Sequence, residues 1–280
     1  MIKKTVIGVV CALFLASGAQ AQDALTNKDG KAILPESGEF GLGFNVVPLI
    51  SFMGNNTNIT EGNFVLGNNM IFGKYMLDGS TALRAHLGVN TSLDALRNKV
   101  FDDTQNSPDS LVQDVMRLAD QSYTIGAGYE MRKGKGRVQG IFGADVMFGF
   151  SRSTTNYEYG NAFGMLNQAP TTTTNFFSGS SFPQGERTTL IERGNTFSVG
   201  LRPYVGVEYF IAPKLSIGAE FGLNTMYSIT GEGRTVSEFF DPNTGENGLV
   251  RTTTNINAGR SGWNISTDNF NGAVVLMFYF

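Results

Sequence analysis

Period-two alternation, held for about ten residues at a time and repeated along the chain, is the feature that most restricts this sequence. In "EFGLGFNVV", Phe40, Leu42, Phe44 and Val46 alternate with Glu39, Gly41, Gly43 and Asn45. "TALRAHLGVN" sets Leu83, Ala85, Leu87 and Val89 against Arg84, His86, Gly88 and Asn90. "SYTIGAGYEM" sets Ile125, Ala127, Tyr129 and Met131 against Gly126, Gly128 and Glu130. "RVQGIFGADVMFGF" sets Phe142, Ala144, Val146 and Phe148 against Gln139, Gly143, Asp145 and Gly149. "VGLRPYVGVEYFI" sets Leu201, Val205, Val207 and Tyr209 against Arg202, Tyr204, Gly206 and Glu208, and "KLSIGAEFGLN" sets Ile217, Ala219 and Phe221 against Gly218, Glu220 and Gly222. Side chains on a strand point to opposite faces in turn, so each segment reads as a strand between two different environments.

Two further segments bring the number of strands to eight. In "NNMIFGKYML", Lys74 falls on the polar face with Tyr75 opposite. The segment 263–280 places Val274, Leu276, Phe278 and Phe280 on one face. The connections alternate in length. Three are tight, around 78–79, 133–136 and 212–213, and carry the Gly, Pro and Asp that tight turns demand. The other four, 50–63, 91–121, 152–195 and 230–262, are long and rich in Asn, Thr, Ser and Gly.

The N-terminus reads as an export signal. Lys3 and Lys4 precede an apolar stretch from Val6 to Ala16, and Ala19-Gln20-Ala21 supplies a small-residue cleavage pattern. Residues 1–21 are therefore assigned to a signal peptide, 22–37 to a short segment on the inner side of the membrane discussed below, and 38–280 to the strand domain. Cys11, the only cysteine, lies within the leader, so no disulfide or thiol chemistry is expected beyond it. Loss of Lys3 and Lys4 with the leader takes the formal charge from −3 to −5, which argues against a nucleic-acid partner.

An exported set of alternating strands fits either a soluble sandwich or a closed sheet in a membrane. Three signs favour the membrane. Glycine, at 35 of 280 residues, with isolated charges dominates the non-apolar face, which suits a crowded interior better than a solvated surface. Short turns alternate with long loops, as in outer-membrane barrels. Tyr75, Tyr129 and Tyr209 precede the short turns, where an aromatic girdle meets the headgroups. The expected fold is all-β: an eight-stranded antiparallel up-and-down transmembrane β-barrel with short periplasmic turns and long extracellular loops.

With its apolar closing strand and terminal Phe280, the chain resembles the small outer-membrane β-barrel proteins of the OmpA/OmpX/OmpW-like superfamily. The resemblance covers Glu39 to Phe280 as architecture rather than as diagnostic residues. It implies residence in the outer membrane, contact with its lipid, and assembly by the β-barrel machinery, which in that family reads the closing strand; Leu276, Phe278 and Phe280 match that pattern. It also implies a non-enzymatic structural or surface-interaction role, with the long loops as the contact region. A narrow channel for ions or small apolar solutes, and a lipid-modifying enzyme, are the alternatives.

The interior face collects Glu39, Lys74, Arg84, His86, Glu130, Asp145, Arg202, Glu208 and Glu220. Charges held this deep must be paired or hydrated, so a salt-bridge network that plugs the interior is expected. His86 is the only histidine. Some outer-membrane barrels are enzymes, and the pattern of the lipid A deacylases among them places a serine two residues after the histidine on the same face; here that position is Gly88. No catalytic residue, cofactor or metal site is assigned. "DPNTGENG", 241–248, has Gly245 and Glu246 where a calcium loop needs Asp or Asn and then Gly, and reads as a turn. "RKGKGR", 132–137, reads as a hairpin turn. "SPDSLVQDVMRLAD", 107–120, reads as a short amphipathic helix, with Ser107 as cap, Pro108 in the first turn and Leu111, Val115 and Leu118 on one face. Pro203 interrupts a strand and predicts a bulge.

Overall fold

The computed structural model describes residues 25–28, 30–45, 70–105, 107, 109–176, 181–182, 185–244, 248–267 and 274–280. The leader 1–21, Val46, the connection 50–63, Pro108, Gly245 and Glu246 lie outside these. The described chain is all-β: β1 Phe40–Asn45, β2 Met70–Met76, β3 Thr81–Phe101, β4 Leu111–Lys135, β5 Val138–Glu158, β6 Thr173–Thr174, β7 Ser181–Phe182, β8 Glu186–Ala212, β9 Leu215–Thr230, β10 Gly233–Phe240, β11 Leu249–Asn257, β12 Arg260–Thr267 and β13 Val274–Tyr279.

Eight of these strands close on one another. Antiparallel pairs run from β1 through β2, β3, β4, β5, β8, β9 and β13, and β13 pairs with β1 again, with Gly43 opposite Met277. No strand of this ring is left with a free edge along its paired residues. Three tight turns lie at one end. In the first, Asp78 Oδ1 accepts the amides of Ser80 at 2.6 Å and Thr81 at 2.8 Å. The second turns through Gly136 at φ 70°, and the third places Lys214 at φ 59°.

At this end the segment before β1 folds across the mouth. Lys214 N donates to Ile33 O at 3.0 Å, and Tyr279 N donates to Lys214 O at 2.8 Å. Ile33 is buried with Phe72, Met76, Phe210, Val275 and Met277. Lys214 Nζ reaches Glu39 at 2.6 Å. Residue 280 lies at the same end, its amide donating to Phe40 O at 2.9 Å.

The other end departs from the expected loops. The described residues of 107–120 contain no helix: β4 begins at Leu111 and stays in register with β3 from Phe101↔Leu111 to Thr81↔Met131. The spacing of Leu111, Val115 and Leu118 suits a helical face, but as a strand the segment gains a ladder with β3 along its length and with β5 from Val115 on. The long connections predicted at 91–121 and 230–262 are likewise mostly strand, and that at 152–195 is strand chiefly at its two ends. β10 prolongs the direction of β9 and pairs with β8 and β11, while β12 pairs with β9. β10 and β11 pair as a hairpin, with Asp241 N donating to Gly248 O at 2.7 Å.

A crease crosses β5 and β8 at the level where β9 gives way to β10. Between Ser151 and Ser153 the β5–β8 register shifts, and β8 leaves β9 for β10 just beyond the pair Thr196↔Thr230. Gly194 packs so closely on the Gly231 carbonyl that no Cβ fits between them. Pro203 causes no bulge. Pairing with β9 is interrupted there, yet Leu201↔Thr225 and Tyr204↔Gly222 keep one register, and β5 still pairs with Pro203 through Ala144.

Candidate functional site

The alternation is obeyed around the ring with its polarity turned inside out. Ile125 and Val205, on the outer surface, are 56% and 57% exposed, whereas Glu130 and Asp145, on the inner one, are 1% and 0% exposed. Strand register then brings the inner charges to neighbouring levels, since Lys74 sits opposite Arg84, Gly128 opposite Asp145, and Asp145 opposite Arg202.

Four cations meet four carboxylates. Glu130 takes Lys74 Nζ at 2.9 Å and Arg84 at 3.0 Å, with Arg132 at 3.4 Å. Arg84 also forms a two-pronged pair with Glu220, at 2.9 and 3.0 Å. Asp145 takes Arg202 at 3.0 Å, and Arg202 reaches Glu220 at 3.4 Å. Glu208 accepts from Arg132 at 2.9 Å, from the Tyr279 hydroxyl at 2.8 Å and from the Ser216 hydroxyl at 2.5 Å. The Arg84 guanidinium also lies 4.0 Å from the centre of the Tyr204 ring. Charge-assisted and two-pronged contacts of this kind are the strong class of hydrogen bond.

His86 joins the cluster incompletely. Its Nε2 lies 3.0 Å from Asp145 Oδ2 but off the hydrogen-bond direction, and neither ring nitrogen finds a hydrogen-bond partner among the described residues. Phe72 packs edge-on against the ring at 5.0 Å. With His86 uncharged the cluster sums to zero.

Lys74, Arg84, His86, Glu130, Asp145, Arg202, Glu208 and Glu220 are thus brought together. Glu39 is not: it sits at the mouth, paired with Lys214. Arg132 was missed. It continues the even-numbered face of Gly126, Gly128 and Glu130, but the basic, glycine-rich run 132–137 reads as a turn, whereas β4 continues to Lys135.

The space beside these groups is small. The void bounded by Lys74, Glu208, Glu220 and Met277 measures about 10 Å³, at the lower limit for a single water. Glycines permit this density: a Cβ on Gly143 would lie 2.6 Å from the Tyr204 hydroxyl, and one on Gly41 2.8 Å from the Tyr279 ring. No group of three or more His, Cys, Asp or Glu among the described residues is placed to hold a metal ion. What the arrangement can do is fill and brace the ring.

Beyond the crease, residues 159–176 are fastened by carboxylates. Asp114 accepts the amides of Gly160 at 2.8 Å and Thr174 at 2.9 Å. Asp103 accepts the Thr171 amide at 2.7 Å and the hydroxyls of Thr171 and Thr172 at 2.6 and 2.9 Å. Partial burial tends to raise the Asp103 carboxyl, but these bonds prevail and hold it below its ordinary value. Burial raises the Tyr159 phenol, which donates to Thr188 O at 2.8 Å.

No known family model matches the chain, and no curated protein is significantly similar to it.

Proposed function

We propose that this chain is an integral, non-enzymatic β-barrel protein of a Gram-negative outer membrane, closed by its interior charges and meeting its surroundings through the extension beyond the crease. The observation that carries the reading is the inversion of polarity: paired charges inside the ring, an uninterrupted apolar surface outside it. A soluble protein would bury the second and hydrate the first.

The aromatic rings support a membrane setting. Near the tight turns stand Phe40 and Tyr75, 4.8 Å apart, with Tyr129 and Tyr209. Further along, Tyr123 and Phe150 lie 6.4 Å apart and Phe150 and Phe197 5.0 Å apart. Along β8, Phe197 and Tyr209 bracket an apolar stretch. At ~3.3 Å per residue and a tilt of 35–45°, it spans about 28–32 Å, comparable to the ~25 Å band of outer-membrane barrels. In this reading the tight turns are periplasmic, residues 1–21 are a cleaved leader, and the outward residues Leu276, Phe278 and Phe280 are what the assembly machinery reads.

Unboiled protein in SDS should migrate apart from boiled protein, and carbonate should leave it in the membrane fraction. Release by carbonate would overturn the reading. In planar bilayers the wild-type protein should pass little steady current. Large, stable currents would replace the plug with a channel.

A further inference from the structure

Beyond the crease, the turns at the end opposite the tight turns share one property of charge. Residues 102–110, 159–176 and 241–244 hold Asp102, Asp103, Asp109 and Asp241 but no lysine, arginine or histidine. Asp102, Asp103 and Asp241 accept amide and hydroxyl groups, among them those of Thr104, Thr171 and Asn243, which leaves their charges uncancelled. On the strand ends just beneath, 97–101, 111–117, 156–158, 186–189, 238–240 and 249–251, five cations stand against four carboxylates. At most one of the four turn charges is offset, and this end of the molecule is net negative.

One of these turns also presents apolar side chains. Met165 and Leu166 are 59% and 97% exposed. They form the centre of a tight turn in which Gly164 and Asn167 exchange both backbone hydrogen bonds at 3.0 Å. The loop beneath them is fixed. Phe163 is buried over the Arg187 guanidinium, itself paired with Glu238 at 2.9 Å. Asn161, also buried, donates to Phe101 O at 2.7 Å, and Asp114 and Asp103 hold the backbone at Gly160, Thr171 and Thr174. Single exposed apolar residues are ordinary on a surface. Here two stand side by side at an ordered tip, whereas 102–110 and 241–244 contain no Leu, Ile, Val, Met, Phe, Tyr or Trp.

We propose that this end docks a basic polypeptide, whose apolar side chains cover Met165 and Leu166 while its lysines and arginines meet the surrounding aspartates. A turn that is already ordered loses little conformational freedom on binding, so most of the gain from covering two apolar side chains is kept. The aspartates attract a cationic partner and repel an acidic one, which sets specificity and the rate of encounter. The proposal deepens the reading that the extension carries this protein's contacts. It does not depend on lipid around the ring, so its test is separate from those of SDS migration and carbonate extraction.

The test is selection from a phage-displayed library of random short peptides on the full chain in nanodiscs, after removal of phage that bind empty nanodiscs. Enriched peptides should carry net positive charge and at least one large apolar residue. They should bind the wild-type chain with a Kd of ~100 μM or tighter, weakening as salt is raised. Leu166→Ser, at a position that packs against nothing, should weaken a selected peptide about tenfold by removing a buried apolar contact. Asp109→Asn, also exposed, should weaken it ~3-fold by removing a partly screened charge. No enrichment, enrichment of acidic or uncharged peptides, or unchanged affinity in Leu166→Ser would each overturn the proposal. A chain that shifts on boiling in SDS but enriches no such peptide would keep the membrane reading and lose this one.

Discussion

The ring and its outer extension are built from the same strands but treat charge in opposite ways. Inside the ring each described guanidinium and ammonium is surrounded by carboxylates within 4 Å, and the void beside Lys74, Glu208 and Glu220 measures about 10 Å³. In the extension the pairs are fewer and more exposed, a buried guanidinium keeps an unused edge, and cavities of about 180 and 530 Å³ stand open. The contrast teaches where each region's free energy goes. A closed ring of eight strands leaves room only for side chains, so its interior must satisfy itself. The extension is braced by backbone ladders and by the carboxylates that fasten residues 159–176, and its side chains remain available for something else.

Single substitutions should break this contrast in order. Glu130→Ala strands Lys74, Arg84 and Arg132 around an empty space, and should cost ~3–5 kcal/mol in urea unfolding. A midpoint close to wild type would mean that water enters the interior freely. Arg202→Ala should cost less, because Arg84 still faces both Asp145, at 3.7 Å, and Glu220. An unmoved midpoint there would show that Arg202 is already hydrated. Gly143→Ala tests packing instead of charge. Its Cβ would crowd the Tyr129 carbonyl and the Tyr204 hydroxyl, and should destabilise by about 1–3 kcal/mol.

Arg152→Ala is the counterpart in the extension. It removes a half-exposed pair with Glu192 at 3.3 Å, and should change stability by less than ~1 kcal/mol. If Arg152→Ala and Glu130→Ala moved the midpoint equally, the two regions would not differ as described. The smallest effect is one of pH. The Asp103 carboxyl is held below its ordinary value of 3.8. Its contribution is therefore complete above that value and is lost as pH falls through the lower folded value. Relative to the intrinsic exchange rate at each pH, protection of the Thr171 and Thr172 amides should fall below about pH 4 while protection within the ring strands is kept. Equal loss of protection in both would mean that acid loosens the whole molecule rather than this fastening.

Alternation made the ring legible because a strand's faces depend only on residue parity. That sufficed for Lys74, Arg84, Glu130, Asp145, Arg202, Glu208 and Glu220, and for placing Tyr75 opposite Lys74. Parity fails where register shifts. The irregularities between Ser151 and Ser153 and between Val236 and Ser237 leave the directions of Arg187 and Glu238 unreadable from spacing. Glu39 obeys parity but stands at the mouth, where the fold pairs it with Lys214 from 175 residues away. Arg132 obeys it too, but its position inside the ring depends on how far β4 runs before it turns.

The sequence by itself determined the strand class, the order of hairpins at the tight-turn end and the sorting of apolar from polar faces, because these follow from local geometry at period two. Only the tertiary structure decided that residues 111–120 are strand rather than helix, since their spacing suits a helix and the ladders with β3 and β5 override it. It alone decided which cation meets which carboxylate, because Arg84 and Glu220 are 136 residues apart and meet only when the ring closes. It also decided the crease and the cavity beyond it, which depend on backbone approaches such as Gly194 to Gly231 that no single strand's pattern encodes.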